Sequence, residues 1–162
     1  MQSIINGMPD AYAKIKGSSM YPEIHGTIYF YGVYEGTVIT VEMYGIPSRL
    51  EKETGGFFGF HIHEGGSCSG TPAEPFQNAG THYNPENTKH PAHAGDLPPV
   101  LSNQGNVWMA VYTGRFYPED VVGRSVILHG GADDFRTQPS GNAGPMIACG
   151  EIRFWEKEGK QR

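Results

Sequence analysis

The sequence FFGFHIH at residues 57–63 predicts a β-strand, because its aromatic and β-branched residues are typical of strands. Successive side chains of a strand point to opposite faces, so His61 and His63 share one face. Phe60 and Ile62 lie on the other face and make it apolar. Two histidines spaced in this way can bind a metal ion, but they can also be polar side chains on a solvated face of a sheet. The strand alone leaves both alternatives open.

Strands of this kind recur along the chain, separated by turn-forming residues. The chain contains 23 glycines and 12 prolines and has no long stretch with helical periodicity. Two long segments, residues 64–105 and 130–144, are irregular and rich in turn-forming residues. This organisation predicts an all-β fold, an antiparallel β-sandwich or flattened barrel with long loops. The further predicted strands are Thr27–Tyr31, Gly36–Met43, Asn106–Tyr112, Gly123–His129 and Ile147–Trp155.

Length and charge narrow the class of protein. A chain of 162 residues is long enough for one domain with its own core, and we expect a single domain over residues 1–162. The net charge of −5 and the absence of a basic cluster argue against nucleic acid and against anionic membranes as partners. Polar residues interrupt the segment from Met1 to Met20, so no signal-peptide core is present. We therefore expect a cytoplasmic protein, or an extracytoplasmic one if Met1 replaces a removed leader.

Most of the histidines of the chain fall in or beside the long loops. His82 is followed by His90, His93 and Asp96 at intervals of three residues, and His129 ends a predicted strand. Imidazole suits copper and zinc, and zinc also accepts carboxylate ligands. Alone, the triplet would equally suit a polar surface loop. Together with the pair on the first strand it indicates a site for two metal ions. The seventh histidine, His25, lies outside this pattern, and we expect it to be an exposed structural residue.

The residues that flank these histidines carry a resemblance to a known family. With GTHYNP at residues 80–85 and KHPAHAGDL at 89–97, the chain resembles the copper–zinc superoxide dismutases, particularly bacterial members, across residues 59–150. The resemblance implies a Greek-key sandwich of immunoglobulin-like architecture. It also implies an enzyme that converts superoxide, its substrate and partner, to oxygen and hydrogen peroxide. The implied copper ligands are His61, His63, His82 and His129, and the implied zinc ligands are His82, His90, His93 and Asp96.

Three further roles follow from the resemblance. His82 would bridge the two metals through both ring nitrogens and would act as a proton donor during turnover. Asp133 would connect His61 to His90 from outside the ligand sets, although an exposed loop aspartate is the simpler reading of the residue alone. Cys68 and Cys149 would form a disulfide, whereas two buried free thiols are the default for a cytosolic protein.

One position departs from the family pattern. The segment GNAGPMIACG, residues 141–150, has Met146 where family members place an arginine beside copper. Methionine has no positive charge and no N–H to offer a bound anion. By analogy with lost oxyanion donors, this would raise the barrier by about 2–4 kcal/mol and slow the enzyme. Arg136 would partly compensate as a steering residue, unless it is a solvated surface arginine.

Three functions remain distinguishable at this point. The first is a superoxide dismutase with a lowered rate. The second is a copper storage or delivery protein, weakly favoured by the thioether of Met146, which is a soft ligand for reduced copper. The third is a zinc-stabilised binding domain that keeps only the fold, and the intact copper ligands count against it. The sequence leaves open whether the protein is a monomer or a homodimer.

Overall fold

The computed structural model describes residues 2–156, which form ten β-strands, three short α-helices and one 3₁₀ turn. Met1, on which the expectation about a leader depends, lies outside the described residues. The strands are β1 Ala11–Gly17, β2 His25–Val33, β3 Gly36–Tyr44, β4 Phe57–Phe58, β5 Phe60–His63, β6 Val100–Asn103, β7 Asn106–Thr113, β8 Ser125–His129, β9 Met146–Glu151 and β10 Arg153–Phe154. The helices are α1 Gln2–Ile5, α2 Ser48–Thr54 and α3 Pro118–Val121, and the 3₁₀ turn is Gln77–Ala79.

The strands form one antiparallel sheet that curls into a nearly closed barrel. Its strand order is β4-β6-β7-β3-β2-β1-β9-β8-β5, with β10 paired to β1. Strands β7 and β8 follow one another in the chain but lie far apart in this order, as a Greek-key connection requires. The prediction of an all-β flattened barrel is therefore confirmed.

The two ends of the strand order are consecutive in sequence, because β4 and β5 are halves of the FFGFHIH segment. The expectation of one continuous strand here was wrong. The chain bends at Gly59, so that β4 pairs with β6 while β5 pairs with β8. A Cβ atom on Gly59 would lie 2.6 Å from the Cβ of Ala143, so only glycine fits this close approach. The bend brings the two edges of the sheet together, and both histidines of β5 are buried on the face opposite Phe60 and Ile62.

Three further strands differ from the prediction. Strand β6 lies inside the long segment predicted to be loop, because Val100 and Ser102 turn inward and pair at the edge of the sheet. The last predicted strand is interrupted at Ile152, whose backbone N–H donates to Arg124 instead of continuing the ladder. Strand β1 was missed, because its buried face consists mainly of small residues, Ala11 and Ala13, that give a weak strand signal.

The interior of the barrel is a conventional apolar core. Phe30, Phe58, Phe60, Ile39 and Leu128 are fully buried within it. None of the helices among residues 2–156 has the length and apolar character needed to cross a membrane. Strands β5 and β8 are buried along their whole length, which makes them a rigid platform for the side chains at one end of the barrel.

Candidate metal centre

Three of the predicted ligands are fixed by two neighbouring buried strands. His61 and His63 lie on β5, and His129 is the last residue of the paired strand β8. All three side chains are buried. The backbone N–H of His129 donates to the carbonyl of Gly59, at the bend that precedes β5 (2.9 Å). The register of one strand pair therefore sets the relative positions of these imidazoles.

The loop ligands are held by backbone hydrogen bonds to β5. The N–H of Tyr83 donates to the carbonyl of Ile62, and the N–H of Ile62 donates to the carbonyl of Gly95 (both 2.8 Å). As a result, His63 lies opposite His82 in an isolated bridge, and His61 lies opposite Asp96 in a second one. The long loop is thus ordered where it follows β5, and this docking brings ligands distant in sequence to one point.

The first ligand set consists of four buried imidazoles. Its nitrogen atoms lie within 4.8 Å of one another, and Nε2 of His63 is 3.3 Å from Nε2 of His129. Within the described residues, His61 Nδ1 and His82 Nε2 are buried without a hydrogen-bond partner. A buried polar atom without a hydrogen-bond partner costs free energy, so such atoms indicate a site for a bound metal or ligand. Four imidazole nitrogens are a donor set that suits copper.

The opposite nitrogens of this set are tied to the protein, and this leaves the converging ones free for a metal. Such outer contacts fix the orientation and tautomer of each ring. The acceptors are Asp133 Oδ2 for His61 Nε2 (2.7 Å), the carbonyl of Gly80 for His63 Nδ1 (2.8 Å) and the carbonyl of Gly144 for His129 Nδ1 (3.0 Å).

The second ligand set has the dimensions of a tetrahedral zinc site. Zinc–nitrogen bonds of about 2.0–2.1 Å place tetrahedral ligand atoms about 3.3 Å apart. Nδ1 of His82 is 2.8 Å from Oδ1 of Asp96 and 3.3 Å from Nδ1 of His93. Oδ2 of Asp96 is 3.0 Å from Nδ1 of His90 and 3.2 Å from Nδ1 of His93. Three imidazoles and a carboxylate therefore lie close enough together to hold one metal ion.

His82 is the one residue that belongs to both sets. Its Nε2 faces the four-histidine set, and its Nδ1 faces the set that contains Asp96. The geometry therefore allows one imidazole to bind two ions.

Asp133 connects the two sets from behind. Its Oδ2 accepts from Nε2 of His61 and its Oδ1 accepts from Nε2 of His90 (2.7 and 2.9 Å). Burial disfavours its ionisation, but the hydrogen bonds from both rings and from the N–H of Phe135 outweigh this, so the pKa of Asp133 lies well below its ordinary value. Gly141 lies against this link. A Cβ atom there would overlap the carboxylate and come within 2.6 Å of the His90 ring nitrogen.

Burial keeps the strand-borne histidines neutral. Desolvation, with charge repulsion from neighbouring imidazoles as the next cause, lowers the pKa of His63 to about 2 and that of His129 to about 3. The pKa of His61 is lowered as well, mainly by burial. Metals bind the neutral form of imidazole, so these three ligands of the first set need not lose a proton first.

A cavity of about 710 Å³ opens onto the histidines. His63, His82 and His129 lie in its wall beside apolar side chains that include Phe76 and Met146. Of the described residues that line it, none is a lysine or an arginine, and Glu74 is the only acidic one. Pro145 and Ser140 also line it. The approach to the site is therefore apolar, with one negative charge at its mouth.

This two-set arrangement agrees with comparisons to known proteins. A family model described as copper/zinc superoxide dismutase (SODC) matches residues 24–152. The chain belongs to the copper/zinc superoxide dismutase family. A copper–zinc superoxide dismutase of Pasteurella multocida is 38% identical over 133 residues, which cover 72% of each chain. One from Aquifex aeolicus is 33% identical over 135 residues, covering 73% of this chain and 72% of its own.

Solved structures of superoxide dismutases and related proteins have the same fold. The copper/zinc superoxide dismutase of Brucella abortus superposes with a TM-score of 0.73 at 28% identity, covering 88% of this chain and 99% of its own. A protein from Bacillus subtilis described as similar to a superoxide dismutase superposes with a TM-score of 0.70 at 30% identity, covering 86% and 96%.

The disulfide that the family resemblance implies is also present. Cys68 and Cys149 are bonded, and the bond ties the start of the long loop to strand β9. His25, which lies outside both ligand sets, is exposed at the start of β2 and stacks on Tyr44, as a structural residue would.

The two residues predicted to govern substrate approach lie in different surroundings. Met146 is the first residue of β9, lies opposite His129 and lines the cavity. Arg136 is exposed in the loop before β9 and is not part of the cavity wall. Its role in steering remains a prediction.

Two residues at the site have no signal in the amino-acid sequence. Gln138 makes two hydrogen bonds to the backbone of His90. Its Oε1 accepts from the N–H (2.9 Å), and its Nε2 donates to the carbonyl (2.7 Å). Glu74 contributes the negative charge of the cavity mouth. Both lie in irregular loops, where no periodic pattern shows which way a side chain points, so no local signal could have found them.

Proposed function

We propose that this protein catalyses the dismutation of superoxide to oxygen and hydrogen peroxide at a copper–zinc centre. The observation that carries the proposal is the pair of ligand sets that meet at His82, one of four imidazoles and one of three imidazoles and a carboxylate. Membership of the copper/zinc superoxide dismutase family supports it.

The donor sets fit the two metals differently. The set of His61, His63, His82 and His129 contains only imidazole and would hold copper, which supplies the one-electron redox chemistry when it is bound. The set completed by Asp96 would hold zinc, which accepts carboxylate and orders its loop.

The residues of the chain perform the remaining tasks. His82 lies in the wall of the cavity through which substrate would arrive, so its imidazole is placed to donate a proton there. Asp133 keeps the rings of His61 and His90 in one orientation through its two hydrogen bonds. The cavity wall supplies no lysine or arginine among the described residues to attract superoxide. We therefore propose a lower rate than a site with an arginine at position 146 would give.

The alternative is a copper storage or delivery protein of the same fold, and the family match does not favour it. The thioether of Met146 in the cavity wall is its one supporting observation. A storage protein should hold reduced copper much more tightly than oxidised copper, whereas a dismutase must cycle between the two. Competitive titration of copper in both redox states separates these functions.

Other aspects of the function remain predictions from the sequence alone. They are the lack of nucleic-acid and membrane partners, the choice between monomer and homodimer, and the cytoplasmic location.

Fast kinetics on reconstituted protein test the main proposal. Protein loaded with copper and zinc should remove superoxide catalytically at a rate proportional to its copper content. His63→Ala should lose this activity, since it removes a ligand of the first set. His25→Ala is the matched control, because this exposed histidine lies outside both sets, and it should retain full activity. Inert protein with copper demonstrably bound would contradict the assignment and favour copper handling.

A further inference from the structure

Arg115 contacts the zinc half of the site from the barrel side. It follows strand β7 after a single glycine, and its own N–H donates to the side-chain oxygen of Thr113 (3.2 Å). The next residue, Phe116, is buried, and its carbonyl accepts a hydrogen bond from the buried hydroxyl of Thr37 (2.7 Å). The backbone on both sides of Arg115 is thus anchored to the barrel rather than to the metal-binding loop.

The guanidinium of Arg115 binds three carbonyl groups of the loop. Its Nη1 donates to the carbonyls of His93 (2.9 Å) and Pro91 (3.0 Å), with a longer contact to that of Asp96 (3.4 Å). Hydrogen bonds from an ionised donor are stronger than neutral ones, and a guanidinium stays charged throughout the accessible pH range. One cation therefore gathers the carbonyl oxygens of a single tight turn.

That turn carries three of the four ligands of the second set: His90, His93 and Asp96. Carbonyl dipoles that converge on one point repel each other unless a cation lies between them. The spacing of the ligand atoms depends on the backbone of this turn, because each imidazole or carboxylate leaves it by a short side chain. A change in the turn of a few tenths of an ångström would be transmitted to the metal-binding atoms.

We propose that Arg115 is a positioning residue for zinc, which holds the ligand-bearing turn in its binding geometry by binding the carbonyls of that turn. It touches neither metal nor substrate and acts through the backbone of His93 and its neighbours. The inference rests on the second set being the zinc site of the proposed function.

Zinc affinity measured by competition with a chelator tests this role. Arg115→Ala should weaken zinc binding by on the order of 10- to 100-fold, the usual effect of removing a partner outside the ligand shell. Arg115→Lys keeps the charge, but the lysine side chain is one bond shorter than that of arginine. Its zinc affinity should therefore lie between those of wild type and Arg115→Ala. Arg49→Ala is the matched control, since it removes an equal charge from an exposed pair with Glu53 on α2, and it should bind zinc normally.

Two further readouts distinguish positioning from general stability. Arg115 lines a separate groove of about 410 Å³ that is open to solvent, so methylguanidinium added to Arg115→Ala should restore part of the zinc affinity. Cobalt bound at the second set should show altered visible bands in Arg115→Ala, because their intensity reports on tetrahedral geometry.

Unchanged zinc affinity in Arg115→Ala, within about twofold of wild type, would overturn the proposal. So would a loss of affinity that matches a fall in the melting temperature of the metal-free protein, with no methylguanidinium rescue and no change in the cobalt spectrum. If the alanine variant fails to fold, the lysine variant decides by the same criteria. Wild-type protein that binds no zinc would instead remove the basis of the proposed function itself.

Discussion

Replacing Met146 with arginine should accelerate the reaction, because it places a positive charge in a cavity wall that has none among its described residues. A cavity of about 710 Å³ has the volume of a sphere about 5.5 Å in radius, so an anion at its centre would lie about that far from the new charge. At an effective dielectric constant of about 20, the attraction is about 332/(20 × 5.5), or about 3 kcal/mol. Because the cavity is open, screening reduces this to about 1.5–3 kcal/mol, which corresponds to a rate increase of about 10- to 100-fold.

The charges already present around the cavity also predict that Met146→Arg raises the rate. His63 and His129 are neutral near pH 7, since their pKa values are lowered to about 2 and about 3. Glu74 is the only acidic residue among the described residues of the wall, and its negative charge repels superoxide. Met146→Arg would cancel this charge formally.

The assay is superoxide decay followed by pulse radiolysis on metal-loaded protein of equal copper content, at several ionic strengths. The gain from Met146→Arg should shrink as salt increases, because the Debye length is about 8 Å at 0.15 M and comparable with the distance of interaction. Met146→Leu, which keeps the approximate volume and adds no charge, should behave as wild type. An arginine variant no faster than wild type, with the same salt profile, would refute the electrostatic reasoning.

The other predictions concern the charge, packing and protonation of the same site. Glu74→Gln should raise the rate severalfold at low salt and little at high salt, measured in the same decay assay; an equal effect at both would contradict a role for its charge. Gly141→Ala should weaken metal binding, because the new methyl group overlaps the carboxylate of Asp133, and unchanged metal affinity in chelator titrations would contradict this. Metal-free protein should lose stability as pH falls from about 6.5 to 5, because the unfolded chain binds protons at His63 and His129 that the folded chain excludes. The loss is about 1.4 kcal/mol per pH unit for each histidine, and equal urea midpoints at the two pH values would show that these rings are not protected.

The ligands could be predicted from the sequence because their chemistry is local. Alternation along a strand places His61 and His63 on one face, and the interval of three residues from His90 to His93 to Asp96 keeps these side chains in one turn. Such spacings depend on backbone geometry that any strand or turn shares. The resemblance to a known family then supplied the division into copper and zinc ligands, which spacing alone does not contain.

The remaining features depend on contacts between segments far apart in the chain. The bend at Gly59 is visible only once Ala143 is known to lie beside it. Arg115 and Gln138 act on the loop through its backbone carbonyl and amide groups, which every sequence has, so nothing in the sequence of the loop marks their partners. Met146 could be identified as a departure from the family because the segment around it matches the family pattern. Glu74 could not be placed at the mouth of the same cavity, because it lies in an irregular loop.

The buried nitrogens of the site show why barrel and metal centre must be considered together. His61 Nδ1, His82 Nε2 and His90 Nδ1 are buried without hydrogen-bond partners within the described part of the chain. Each such atom costs about 1–3 kcal/mol, so three of them would cost the metal-free protein about 3–9 kcal/mol. A disulfide across a sequence separation of 81, as between Cys68 and Cys149, contributes at most about 4–5 kcal/mol in the opposite direction. The two free energies are similar, so the disulfide offsets much of the cost of the unpaired nitrogens in the metal-free protein. Metal bound at these nitrogens would supply the missing partners and add stability to the folded chain.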